Sequence, residues 1–458
     1  MTSLPARIHV VGVGGAGMSA LAKILAGLGH QITGSDQRGG AAVALLSDLG
    51  LDVWEGHRPE AVSNVDLVVA SSAVPADDPE LAAAEAAGIT VWRRPRLLKA
   101  LTSQMPTVGP TGTHGKTTTT AMMIWAMQAA GADPSFVVGG ELVGYGTNAH
   151  LGADDLLVLE VDEAFGTFEH VRLAGLIVTN VEADHMDHFG SEESLEDSFT
   201  DVVGMVDGPV VACADDAGAG RIASRTGVPT YGTDPNATWR MVGFQATGGK
   251  SRFDLVGPLG TAHVMIPRPG LHTARNAAGA LSLVAELGYD LERAAAGLAG
   301  FAGVRRRFES RGRVAGVRII DDYAHHPTEV KATLVEAAQY GAERLWAVFQ
   351  PHLYSRTRDL HQEFGTALAG ADGVIVTDVY GSREAPIPGV TGRLVADAAR
   401  RSGAGMVEYV PHRGDIARSL AERVEPGDMV VVMGAGDVTL VATELATALE
   451  AARPAGRP

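Results

Sequence analysis

The chain is punctuated by short, nearly continuous apolar runs that end in glycine or polar residues, alternating with longer stretches of helical spacing. Ile8-His9-Val10-Val11-Gly12-Val13 is the first such run, and a glycine-laced helical pattern follows it through Leu28. Val65-Asp66-Leu67-Val68-Val69-Ala70 ends at Ser71-Ser72. Apolar runs of this length read as strands buried on both faces, and their alternation with helices predicts βαβ winding. A second series opens at Pro106-Thr107-Val108-Gly109. It continues through Leu156–Leu159, ending at Glu160, then Leu176–Thr179, ending at Asn180, and Val210–Ala212. The third series comprises Val317–Ile320, Leu345–Phe349, Val374–Val376 and Met429–Val432. The pattern predicts three α/β domains in series, over residues 1–103, 104–313 and 314–458. Polar residues cluster at the carboxyl ends of the strands, the edge where open α/β sheets gather ligands.

Composition narrows the classes. With 46% apolar and 20% charged residues over 458 positions, the chain is an ordinary packed globular protein. A net charge of −17 argues against nucleic acid as a partner, because a backbone reader needs a basic face. Cys213 is the single cysteine, which excludes an intrachain disulfide and fits a reducing, cytoplasmic setting. The start has no signal-peptide pattern, and no apolar stretch is long enough to span a bilayer. The lysines are Lys23, Lys99, Lys116, Lys250 and Lys331, so none lies between Lys116 and Lys250.

The strongest chemical signal is Gly112-Thr113-His114-Gly115-Lys116-Thr117-Thr118, placed between a strand and a helix. Glycines let several backbone N–H groups turn toward one anion, and the helix N-terminus adds a favourable dipole. Lys116 can bridge the β- and γ-phosphates of ATP, and the Thr117 hydroxyl can ligate Mg²⁺. The usual spacing wants a first glycine where Pro110 stands. A second glycine turn, Gly12-Val13-Gly14-Gly15-Ala16-Gly17, is followed by Asp36 at the distance of a ribose-binding acid. By itself it reads as a nicotinamide dehydrogenase or as a grip for any diphosphate, a UDP-sugar included.

Further candidates lie at strand ends. Glu160 stands on the edge where Lys116 emerges, and Glu182 to His188 contribute His185 as a second metal or acyl-phosphate contact. Mg²⁺ prefers one or two carboxylates together with phosphate oxygens, and no H-E-x-x-H spacing points to zinc hydrolysis. Asp321 to Pro327 and Phe349 to Arg358 form two histidine-bearing loops that read as neighbours facing one ligand, with Arg356 suited to a small carboxylate. Arg305-Arg306-Arg307 falls at the junction of the second and third segments.

Taken in order, IHVVGVGGAGMSALA, GTHGKTTTT, TNVEADHMDHF, GLHTARNA, GVRRRFE, DDYAHHPTEV, FQPHLYSRTRD and MGAGDVT resemble the Mur ligase family over nearly the whole chain. The resemblance implies an N-terminal Rossmann-like UDP-binding domain, a central P-loop-type ATPase domain, and a C-terminal Rossmann-like domain. It implies use of ATP and Mg²⁺ to join L-alanine to the lactyl carboxylate of UDP-N-acetylmuramate through an acyl phosphate. By the same resemblance, Gly14, Gly15, Gly17, Asp36 and Ser72 would meet the UDP substrate. Gly112, Thr113, His114, Gly115, Lys116, Thr117, Thr118, Asn276, Arg307 and Asp322 would meet ATP. Thr117, Glu160 and His185 would hold the metal; Tyr323, His325, His352 and Arg356 would face the amino acid. Lys116, His185 and Arg307 are the expected catalytic groups. Departures from the family pattern stand in the stretch Glu160 to Phe165, which leaves Asp162 and Glu163 open, and at Thr273 and Leu353. The lysine that several sister ligases carbamylate has no counterpart here. The alternative within the family is a neighbouring ligase, such as the murein-peptide recycling ligase or one adding a later residue; outside it, a dehydrogenase or a non-catalytic UDP-sugar binder. A monomer or homodimer is expected.

Overall fold

The computed structural model describes residues 4–183, 189–382 and 384–451. Three sheets carry the chain. The first has five strands, all parallel, in the order Asp52–Glu55, Gln31–Asp36, Arg7–Val11, Leu67–Ala70, Thr90–Arg93. Its strands are short apolar runs such as the fully buried Leu67–Ala70, as expected of a parallel sheet covered on both faces.

The second sheet has ten strands. Its parallel centre places Thr107–Thr111 between Gly175–Val178 and Asp154–Leu159. One edge is the antiparallel pair Pro134–Leu142 and Thr147–His150. The other edge runs out through Trp239–Thr247, Lys250–Gly257 and Gly260–Ile266. These last three are half-exposed strands in which buried and exposed residues alternate, so they lack the continuous apolar run that marks the central strands.

The third sheet has six strands in the order Glu309–Val314, Val317–Asp322, Met429–Met433, Leu345–Phe349, Gly373–Val376, Met406–Tyr409. Apolar clusters fill both of its faces, one around Phe349 and Phe364, the other around Trp346 and Leu445. Glu309–Val314 pairs antiparallel with Val317–Asp322, so the third sheet begins before Val314.

By packing, Met1–Phe244, Arg252–Ile266 and Thr273–Ala302 form one unit and the remainder forms a second. Within the first unit, the helix Ala16–Gly27 lies against the central domain. Lys23 Nζ donates to Thr147 Oγ1 at 3.2 Å and Asn148 Oδ1 at 2.9 Å, and Asn148 Nδ2 returns a bond to the Ala16 carbonyl at 2.9 Å. Among the described residues no helix is long and apolar enough to cross a membrane.

Candidate active site

The central loop begins where the strand Thr107–Thr111 ends. Pro110 lies inside that strand, paired with Ile177, and its carbonyl accepts from Val161 N at 3.0 Å. The missing glycine therefore costs nothing, because the turn starts only at Gly112. Gly112 has φ +133°, and a Cβ there would stand 2.2 Å from Thr179 Oγ1. Gly115 has φ +83° and precedes the helix Lys116–Ala129, which no side chain caps among the described residues. Both positions need glycine for conformation and for closeness. Thr113 N donates to the Asn180 carbonyl at 3.1 Å and His114 N to Asn180 Oδ1 at 2.8 Å. Thr179 Oγ1 and Asn180 Nδ2 both donate to the His114 carbonyl, at 2.8 and 2.9 Å. The loop is thus held from the adjacent strand end, and Thr118 is half-buried on the first turn of the helix, whose leading N–H groups are the ones a helix leaves without intrahelical partners. A Cβ on Gly115 would lie 2.9 Å from Asn276 Oδ1, which places Asn276 beside the loop.

Lys116 Nζ donates to the Gly112 carbonyl at 2.7 Å and to both oxygens of Glu163, at 2.7 and 3.0 Å. Burial opposes its charge, but the carboxylates of Glu163, then Asp162, outweigh it and raise the pKa above the ordinary lysine value. Glu163, only 2% exposed, is the principal partner that sequence reasoning left open. Thr117 Oγ1 donates to Glu160 Oε1 at 2.9 Å, and Glu160 Oε2 accepts from Gly139 N at 2.7 Å. Two hard oxygens in contact, one of them anionic, beside an anion loop are a donor set that fits Mg²⁺. His185 lies outside the described residues, as do Asp184, Asp187 and His188.

In the first domain the glycine turn also joins a strand to a helix, Arg7–Val11 to Ala16–Gly27, and again no side chain caps the helix among the described residues. Gly12 N and Val13 N donate to the Ser35 carbonyl at 2.8 and 3.0 Å. Asp36 Oδ2 accepts from Gly14 N at 2.9 Å, so the acid stands against the turn. Ser72 is exposed in a turn, and it is Ser71 that packs on Gly12. Arg94 escaped sequence reasoning. A Cβ on Gly17 would stand 3.2 Å from its guanidinium, and its buried Nε has no hydrogen-bond partner among the described residues. The sequence signal was the Arg93-Arg94 pair at the end of the strand Thr90–Arg93.

In the second unit the two histidine-bearing loops do not follow adjacent strands, because Met429–Met433 lies between Val317–Asp322 and Leu345–Phe349. They meet nevertheless. Tyr323 and His325 are 5.2 Å apart between ring centroids, His325 and His352 5.8 Å, and His352 stacks on Tyr380 at 6.1 Å. Tyr380, absent from the sequence reading, also fixes the loop, since Leu353 N donates to its carbonyl at 3.0 Å. Burial pulls the His325 pKa below the ordinary histidine value; Glu329 opposes this, and half-buried Arg356 reinforces it.

The arginine run separates into different tasks. Arg305 pairs with Glu309 at 2.8 Å, and Arg306 donates to the Gly434 carbonyl at 2.6 Å. Arg307 lies over Tyr323 at 5.1 Å and 3.7 Å from Glu329. Arg306 and Phe308 flank it with φ of 58° and 49°, left-handed values that side chains rarely adopt. Asp322 explains the second of these. Its carboxylate accepts from Phe308 N at 2.6 Å and Ala324 N at 2.7 Å, is 7% exposed, and is raised to about 6 by burial. Asp322 thereby holds the loop that carries Arg307.

Three family models match the chain in order: the Mur ligase family catalytic domain at residues 7–105, the Mur ligase middle domain at 111–284, and the Mur ligase glutamate ligase domain at 306–436. The UDP-N-acetylmuramate--L-alanine ligase of Mycolicibacterium vanbaalenii is 45% identical, with 98% of each chain covered. That of Cutibacterium acnes is 44% identical, covering 97% of this chain and 96% of its own. Among solved structures, the UDP-N-acetylmuramate-alanine ligase of Thermotoga maritima superposes with a TM-score of 0.84 at 26% identity, covering 98% of this chain and 100% of its own. A murein peptide ligase from Psychrobacter arcticus gives 0.72 at 26% identity, covering 97% and 99%. Matched in all three domains and along almost its entire length, the chain belongs to the Mur ligase family.

Proposed function

We propose that this chain joins L-alanine to the lactyl carboxylate of UDP-N-acetylmuramate at the expense of ATP, in the cytoplasm where peptidoglycan precursors are made. The observation that carries the reading is end-to-end identity of 45% to a ligase of that name. Its chemical support is the Lys116 ammonium on an anion-binding turn next to the Thr117–Glu160 oxygen pair. The carboxylate oxygen attacks the γ-phosphorus of ATP, giving an acyl phosphate and ADP. The amine of alanine then attacks the acyl carbon, and inorganic phosphate leaves as the amide forms. Lys116 neutralises charge on the moving phosphoryl group, and the loop amides position it. Thr117 and Glu160 would hold Mg²⁺, which supplies further charge neutralisation at the phosphates. Asn276 serves the nucleotide and Arg307 the phosphoryl charge. Asp36, Arg94 and the first glycine turn hold the UDP moiety, while Arg356 and the Tyr323–His325–His352 cluster hold alanine.

The test is mass spectrometry of products from ATP, UDP-N-acetylmuramate and a pool of alanine, glycine, serine, glutamate and the murein tripeptide. One added alanyl residue with equimolar ADP is expected. Preferential addition of the tripeptide would transfer the assignment to the murein peptide ligases, and no addition would end the reading.

A further inference from the structure

Beneath the first glycine turn lies a cluster that the ligase reaction does not use. His9, in the strand Arg7–Val11, is fully buried and stacks on Trp54 at 5.3 Å between centroids. Its Nδ1 sits 2.8 Å from Thr33 Oγ1, and its Nε2 has no hydrogen-bond partner among the described residues. That nitrogen faces Glu80 Oε2 at 3.6 Å. His57 Nδ1 approaches the same oxygen at 3.8 Å and Asp78 Oδ2 at 3.5 Å. Glu80 is fully buried and Asp78 is 5% exposed. His57, with a side chain 32% exposed, is the opening to solvent.

We infer that His9 Nε2, His57 Nδ1, Asp78 Oδ2 and Glu80 Oε2 form a binding site for a Zn²⁺-class divalent cation, separate from the ATP site. Two imidazole nitrogens and two carboxylate oxygens are a donor set that suits tetrahedral zinc. With metal–ligand distances of about 2.0–2.1 Å, the edges of such a tetrahedron are about 3.3–3.4 Å. The His57–Asp78, His9–Glu80 and His57–Glu80 separations of 3.5, 3.6 and 3.8 Å lie a few tenths of an ångström outside that. His57, Asp78 and Glu80 already converge within 4.8 Å of one another, and His9, which meets the group through Glu80, completes the shell by turning further toward His57 and Asp78.

The outer contacts leave these four atoms available. Glu80 Oε1 takes the Arg58 N–H at 2.7 Å, and Oε2 takes the Ser35 hydroxyl but keeps a further lone pair. Asp78 caps the helix Pro79–Ala86 with Oδ1 alone, accepting from Glu80 N at 2.9 Å. With Nδ1 of His9 occupied by Thr33, its Nε2 points at a carboxylate oxygen in a dry interior. Either a proton or a metal ion must stand between this nitrogen and that oxygen, and the Thr33 contact is the kind of outer bond by which metal-bound histidines are oriented. The Ser35 carbonyl accepts from Gly12 N and Val13 N, so an ion here would brace the glycine turn from below.

The test uses the full chain stripped with EDTA and reloaded with Zn²⁺ or Co²⁺. We expect one tightly held equivalent of Zn²⁺ after gel filtration, and with Co²⁺ the strong visible absorption of a tetrahedral site. The oxygen-lined site at Thr117 and Glu160 would give only weak octahedral bands. His57→Ala, at the solvent-facing ligand, should weaken Zn²⁺ binding at least about 100-fold. Thr33→Val, which removes only the outer contact, should weaken it about tenfold. Zn²⁺ retention unchanged in His57→Ala, or no strong Co²⁺ band in the native chain, overturns the site and leaves a proton shared between His9 and Glu80. Neither result bears on alanine ligation, which is read from product mass.

Discussion

The chain contains two glycine turns of the same local design, Gly12–Gly17 and Gly112–Thr118, and their surroundings differ in kind. Each follows a parallel strand, and each opens a helix that no side chain caps among the described residues. Around the first, Asp36 accepts from Gly14 N and Arg94 stands over Gly17. Around the second, Asn180 ties down the loop, Lys116 projects into it, and Glu160, Asp162 and Glu163 line one side. A turn of backbone amides is a general anion holder. What distinguishes holding a diphosphate from transferring a phosphoryl group is the set of side chains brought in from other strands.

Four substitutions sharpen or break this contrast. Lys116→Ala should lower kcat about 1000-fold or more while UDP-N-acetylmuramate affinity, measured by calorimetry, stays within about twofold. A variant retaining a tenth of wild-type turnover would remove the distinction between the turns. Glu160→Gln should raise the Mg²⁺ concentration for half-maximal activity about 100-fold, with titration of Mg²⁺ at fixed ATP as the measurement. Arg94→Ala should raise KM for the UDP substrate about tenfold through loss of one charge-assisted contact, leaving KM for ATP unchanged. If instead KM for ATP moved, the first turn would not be the diphosphate holder. The mildest change is Gly14→Ala. Its Cβ would meet Asp36 Oδ2 at 2.8 Å, a carboxylate free to swing aside, so KM for the UDP substrate should rise only about threefold.

Much of this was legible in the sequence because parallel strands buried on both faces advertise themselves as apolar runs, and their ends mark the ligand edge. Leu345–Phe349 was legible to the residue. The alternating strands from Trp239 to Ile266 carried half the apolar signal and were passed over. Sheet order was equally hidden: Met429–Met433 inserts between strands that are successive in the chain, and no local pattern encodes that. Among site residues, Lys116, Thr117 and Glu160 were readable because glycines and strand ends frame them. Glu163, Arg94 and Tyr380 act through contacts made across the fold, where spacing along the chain gives no guide. Asp322 was readable as a strand-end acid, but its task of holding Phe308 N follows from burial.

The Lys116–Glu163 pair has a consequence for selectivity. With its ammonium already satisfied by a buried acid, the loop presents little naked positive charge to a single free phosphate. A visiting anion must compete with a resident one that is covalently tethered and never diffuses away. A single phosphate has little with which to win that contest; a triphosphate accompanied by its own cation brings several contacts at once.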